Sequence, residues 1–171
     1  MNTAALLLRL VHIVCGVYWA GTLMFLATLL QPSVTDAGPE GGKVTQALMR
    51  RRFLEIVPVM AVLTILSGVE LLRRISGGFS AEWLGTTAGM TLSTGALSSL
   101  IAFTIGISVL RPAAKREGPL AQQAQQLAEG PERDAALAEV QRLRRRMAVG
   151  GRWVAALLLI AVVGMASFRY V

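Results

Sequence analysis

The chain has 171 residues, 54% of them hydrophobic and only 16% charged, with a mean hydropathy of +0.57, which is too apolar for an ordinary soluble domain of this length. The formal charge of +7 would suit nucleic acid in a soluble protein. Beside long apolar runs its natural partner is the anionic headgroup of a lipid, and nucleic acid is not expected.

Four apolar runs stand out, at about 4–30, 53–72, 84–110 and 147–168, with the charges gathered between them. Each is near or above the ~20 residues that cross a hydrocarbon core of about 30 Å as helix. Membrane strands would need only about 9–11 residues of alternating polarity, so they are set aside. The predicted fold is all-α: one transmembrane domain, residues 1–171, forming a four-helix up-down-up-down bundle.

The first run begins MNTAALLLRL, which lacks the basic opening of a secretory signal and continues too far for one, so a retained span is expected. It contains the only histidine, His12, and the only cysteine, Cys15. Steps of three and four residues bring Arg9, His12, Gly16 and Trp19 onto one helical stripe. An ionisable group inside a span costs roughly 2.5–3.5 kcal/mol on insertion scales and turns toward protein or water, so this stripe is predicted to face inward. Trp19 lies mid-span, away from the interfacial belt where Trp83, Trp153 and Tyr170 fall.

Segment 31–52 opens with Gln31-Pro32 and passes through DAGPEGG, a cluster of turn-formers. Residues 44–52 are expected to start a helix that runs into the second span, with Pro58 as a mild kink or early-turn residue. Glu55 would pair with Arg50–Arg52. At the outer end of that span Glu70 reaches the level of Arg9, and an Arg9–Glu70 ion pair is expected.

The third run is rich in small residues. Gly85, Gly89 and Ser93 recur at steps of four, and Thr94, Ser98, Ala102 and Gly106 form a second row, as close helix packing in lipid requires. Hydroxyls of Thr91, Ser98 and Ser99 can bond to carbonyls one turn back.

Segment 112–146 is predicted as an amphipathic helical loop between the third and fourth spans, in two pieces divided by Gly130-Pro131. Leu137, Val140, Leu143 and Met147 give the second piece an apolar stripe. Arg142, Arg144, Arg145, Arg146 and Arg152 crowd its far end, as an anchor on acidic headgroups or a docking surface for a partner's acidic loop. Lys and Arg are concentrated in segments 31–52 and 111–146. The positive-inside rule therefore makes these cytoplasmic and both termini external, in a bacterial inner membrane.

Three readings of His12 stand side by side. It can be a neutral imidazole bonded to a hydroxyl or carbonyl of a neighbouring helix. It can be a haem axial ligand, with Gly16 one turn on giving the ring room to approach and Trp19 nearby. It can be a copper ligand, with Cys15 or a methionine such as Met24, Met60 or Met90 as a soft partner. A single histidine means that bis-histidine haem cannot form within one chain.

The pattern His12-Ile13, with Trp19 seven residues on and then Gly21, within VHIVCGVYWAGTLMFL, resembles the first-helix signature of copper resistance protein D (CopD)-like membrane proteins. It is also similar to the first helix of HemJ-type protoporphyrinogen oxidases, four-helix membrane proteins. The resemblance is confined mainly to the first helix. It implies a functional His12, with Trp19 and Gly21 shaping its pocket, and a role in metal or porphyrin handling with haem b or copper.

No phosphate-binding glycine loop, His/Glu zinc spacing or nucleophile–base pair is visible in the sequence. The residues therefore point away from an enzyme. They point toward an accessory subunit of a larger membrane complex, of electron-transfer or photosynthetic kind, or toward a homo-oligomer, with a cofactor possible at the first helix.

Overall fold

The computed structural model describes residues 3–171, which are helical almost throughout, with no strand among them. Four helical runs are long and apolar enough to cross a membrane: Thr3–Asp36, Phe53–Ile75, Thr87–Gln126 and Pro131–Ser167. They are called the first to fourth helices below.

Two of these runs extend past the points where the sequence suggested an end. The first joins α1 (Thr3–Phe25) to α2 (Gln31–Asp36) through a π-helical turn, Leu26–Leu30. The third joins α6 (Thr87–Ile105) to α7 (Arg111–Gln126) through another, Gly106–Leu110. In both, the amide just before a proline reaches five residues back, Gln31 to the Leu26 carbonyl and Arg111 to the Gly106 carbonyl. A proline ring presses on the carbonyl four residues behind it, and the widened turn takes up that clash, so Pro32 and Pro112 ride inside continuous helices. The hydroxyls of Thr28 and Ser108, within these turns, bond to the carbonyls of Met24 and Thr104 at 2.7 and 2.6 Å.

The helical loop at 112–146 is consequently not a separate unit. Its first piece is the end of the third helix, and its second piece is the start of α8 (Pro131–Ser167), with Gly130 at the turn between them. These helices of 40 and 37 residues are about 60 and 55 Å long, far beyond the ~30 Å of a hydrocarbon core.

Segment 31–52 also differs from expectation. α3 (Gly38–Arg50) stops at Arg51–Arg52, because Arg52 takes a left-handed conformation with φ 60°, and α4 (Phe53–Ile75) starts afresh. Arg52 then bonds through Nε to Glu55 Oε2 at 2.7 Å, so the expected pairing of Glu55 with this arginine cluster is present. Pro58 lies within the second turn of α4. Between the second and third helices, α5 (Ala81–Leu84) is capped by Ser80, and α6 by Thr86, whose Oγ1 accepts from the Gly89 amide at 3.0 Å.

The helices pack as two hairpins. Along the first and second, Gly16 faces Thr64 and His12 faces Gly68, so the register runs in opposite directions. Along the third and fourth, a Cβ at Gly164 would stand 3.0 Å from the Thr91 carbonyl, and one at Gly95 would stand 3.2 Å from the Ala161 carbonyl. The hairpins meet around a core of Trp19, Ala20, Val57, Ala61, Ala102, Val154 and Leu158.

Gly95 and Gly164 thus form the seam of this hairpin, and neither belongs to the two predicted small-residue rows. Of those rows, Gly89, Ser98 and Ala102 are buried. Gly85 precedes α6, and nothing lies within 4 Å of where a Cβ would stand on Gly106. Thr91 and Ser99 do bond back to Thr87 and Ala96 carbonyls, at 2.8 and 2.7 Å.

Candidate functional site

The polar centre of the first hairpin is His12. Its Nδ1 lies 2.8 Å from the backbone carbonyl of Thr64 on the second helix. A carbonyl only accepts, so Nδ1 carries a proton, and in the neutral imidazole Nε2 is then the nitrogen with the free lone pair. Ser67 Oγ stands 3.3 Å from the same Nδ1 and gives its own proton back to the Leu63 carbonyl at 2.6 Å, so it too acts as acceptor. Thr64 Oγ1 is likewise turned onto its own helix, donating to Met60 O at 2.7 Å.

The Cε1 edge of the ring is the part nearest the glycine. A Cβ added at Gly68 would come 2.8 Å from Cε1 and 3.2 Å from Nδ1 of His12. Four residues along the first helix, Gly16 gives similar room to the Thr64 methyl, 3.3 Å from where its Cβ would stand. Thr64, Ser67 and Gly68 share one helical face of an otherwise large-chained stretch, TILSGVE. That row was the available signal for the histidine's partner, and the sequence reading passed over it.

The remaining residues of the predicted stripe separate. Trp19 is 3% exposed and meets Phe103 of the third helix edge to face, centroids 6.4 Å apart at 84°. Cys15 is buried with a free thiol. Arg9 is exposed, and the expected Arg9–Glu70 pair is not formed. Glu70 instead takes Arg73 and Arg74 of its own helix, each at 2.7 Å. Partners three and four residues away are held in reach by the helix itself, whereas Arg9 would have to cross to another helix.

His12 could offer one ligand to a metal or haem, and Cys15 a second to a metal ion. Nε2 of His12 has no hydrogen-bond partner among the described residues, and a histidine whose other nitrogen is fixed on a carbonyl is oriented as metal-bound imidazoles are. No group of three or more His, Cys, Asp or Glu side chains that could hold a metal ion occurs among the described residues. His12 and Cys15 therefore supply at most two of the ligands a copper site needs.

At the far end of the second hairpin the arginines fall into two kinds. Arg142 pairs with Glu139 at 2.7 Å on its own helix. Arg144 reaches across to Glu117 of α7 at 2.6 Å, onto a carboxylate side chain only 12% exposed. Arg145, Arg146 and Arg152 are exposed and make no ion pair among the described residues. The role of Glu117 in tying the hairpin together was not anticipated, since its partner lies 27 positions away.

Compared with known proteins, the chain matches no family model, no curated protein and no solved structure.

Proposed function

We propose that the chain is a small, non-catalytic integral membrane protein that crosses the bilayer four times, up-down-up-down, and serves as an accessory subunit of a larger membrane assembly. The observation that carries this reading is the projecting basic hairpin. The third and fourth helices run on together well past bilayer thickness, braced by Glu117–Arg144, and carry the unpaired arginine Arg145 where that extension begins. A rigid, charged arm of this kind is suited to holding a partner chain at the membrane surface.

The positive-inside rule places the arm in the cytoplasm and both termini outside, in a bacterial cytoplasmic membrane. Native electrophoresis after extraction in mild detergent tests the accessory role. The expected result is a species well above one 18.3 kDa chain in its micelle, broken down by Arg145→Glu. A single-chain species from wild-type membranes would sink the idea.

A second reading is favoured by the unpartnered Nε2 of His12. It would provide one axial ligand of a haem, or one ligand of a copper ion, with the others coming from a partner subunit, in keeping with the first-helix likeness to CopD-like and HemJ-type proteins. A bound haem would supply electron-transfer capacity, while Thr64, Ser67 and Gly68 fix the imidazole. Absorption spectra decide it: a Soret band lost in His12→Ala supports haem. Copper content equal in wild type and His12→Ala, with no such band, removes both cofactors.

A further inference from the structure

Where the third and fourth helices leave their apolar runs, a small concavity of about 200 Å³ lies between them, lined by Ser108, Pro112, Ala113, Arg116, Leu143 and Arg146. We infer that it is a binding site for the phosphate group of an anionic phospholipid, held between the guanidinium groups of Arg116 and Arg146. The inference rests on these helices crossing a membrane, and not on the accessory role.

Charge comes first. Arg116 and Arg146 approach the same concavity from opposite helices, and neither makes an ion pair among the described residues. The nearby carboxylates form their ion pairs elsewhere, Glu139 with Arg142 and Glu117 with Arg144, although Glu139 still lies within electrostatic reach of Arg116. One position before Pro112, Arg111 has its Nε buried without a hydrogen-bond partner, which leaves a third guanidinium unneutralised at this level. An anion is the missing counterpart, and paired arginine forks match the oxygens of a phosphate.

Depth then selects the source. Ser108 and Pro112 sit at the end of the third apolar run, and Arg146 directly precedes the fourth, so the concavity opens where a bilayer places its headgroup phosphates. Ser108 takes no direct part, because its hydroxyl proton is already given to the Thr104 carbonyl.

The test uses the full chain in nanodiscs of equal parts phosphatidylcholine and phosphatidylglycerol, with the lipids retained on the released protein counted by native mass spectrometry. Wild type should keep phosphatidylglycerol in preference to phosphatidylcholine. R116Q/R146Q should lower that preference about 25-fold, roughly fivefold for each charge. R145Q/R152Q, which removes as many charges from exposed positions outside the concavity, should leave it near wild type. Equal loss in both double variants would mean a diffuse basic surface and overturn the site, as would no preference in wild type. Inorganic phosphate that displaces phosphatidylglycerol and binds the delipidated protein as tightly would overturn the lipid source. Failure to enter nanodiscs would remove the membrane reading and the site together, whereas entry without preference removes the site alone.

Discussion

Gly68 and His12 behave as one unit, because the imidazole occupies the space where any larger residue at 68 would put its first carbon. Gly68→Ala forces a Cβ to within 2.8 Å of Cε1 and must displace a ring already fixed on the Thr64 carbonyl. Overpacking of this kind costs about 1–3 kcal/mol, and loss of an interhelical hydrogen bond in a membrane protein averages about 0.6 kcal/mol. The expected pattern in denaturant titrations of the micellar protein is a large loss for Gly68→Ala and a small one for His12→Ala. The double variant should lie close to His12→Ala alone, since the ring that clashes is gone. Additive losses would show that the ring and the glycine do not share this space. The sequence could place His12 on an inner face, since an ionisable group at helical spacing from Gly16 and Trp19 leaves little choice. It could not supply the register between helices, so Thr64 and Gly68 were missed. The Arg9–Glu70 pair failed for the complementary reason, that arginines within the same helix were nearer.

At the level of elements, the hairpin beyond the third and fourth apolar runs depends on a long-range contact set in a short-range pattern. Glu117 is almost enclosed and Arg144 is more than half exposed, so the two partners are not equivalent. Arg144→Ala leaves an enclosed carboxylate without its cation, whereas Glu117→Gln leaves a neutral amide facing an arginine that water can solvate. Leaving a buried polar group unsatisfied costs about 1–3 kcal/mol. Hydrogen exchange over residues 111–146 should therefore speed up markedly in Arg144→Ala and only slightly in Glu117→Gln. The reverse order would mean that the pair does not brace the hairpin. The helical character of this segment, its division at Gly130-Pro131 and the burial of Val140 and Leu143 were readable from periodicity and turn chemistry, whereas Leu137 of the same stripe is exposed. Its fusion to the third and fourth helices was not, because Pro112 looks like a helix end until a π turn ahead of it is known to absorb the clash.

For the whole molecule, the decisive relation is that both basic segments leave from the same end. A Cβ on Gly150 would meet the Leu110 side chain, and one on Gly151 would stand 3.8 Å from Gln31 and 4.0 Å from Ala27, so the level where the first helix becomes polar coincides with that of the third and fourth. In the proposed four-crossing arrangement segments 31–52 and 111–146 would share one side of the membrane, the same side that the positive-inside rule proposes for them. The short turn around Gly77, between the second and third helices, must then lie on the other side. Cys15 is the only native thiol, so Cys15→Ala gives a clean background for single cysteines. In intact bacterial cells, Gly77→Cys should react with an impermeant thiol reagent added outside, and Gln126→Cys should react only after the cells are opened. Labelling of Gln126→Cys from outside would reverse the orientation, and would put the phosphate-binding concavity in the outer leaflet. Labelling of both positions from outside would contradict the shared geometry itself, since four membrane crossings with these contacts leave residues 77 and 126 on opposite sides.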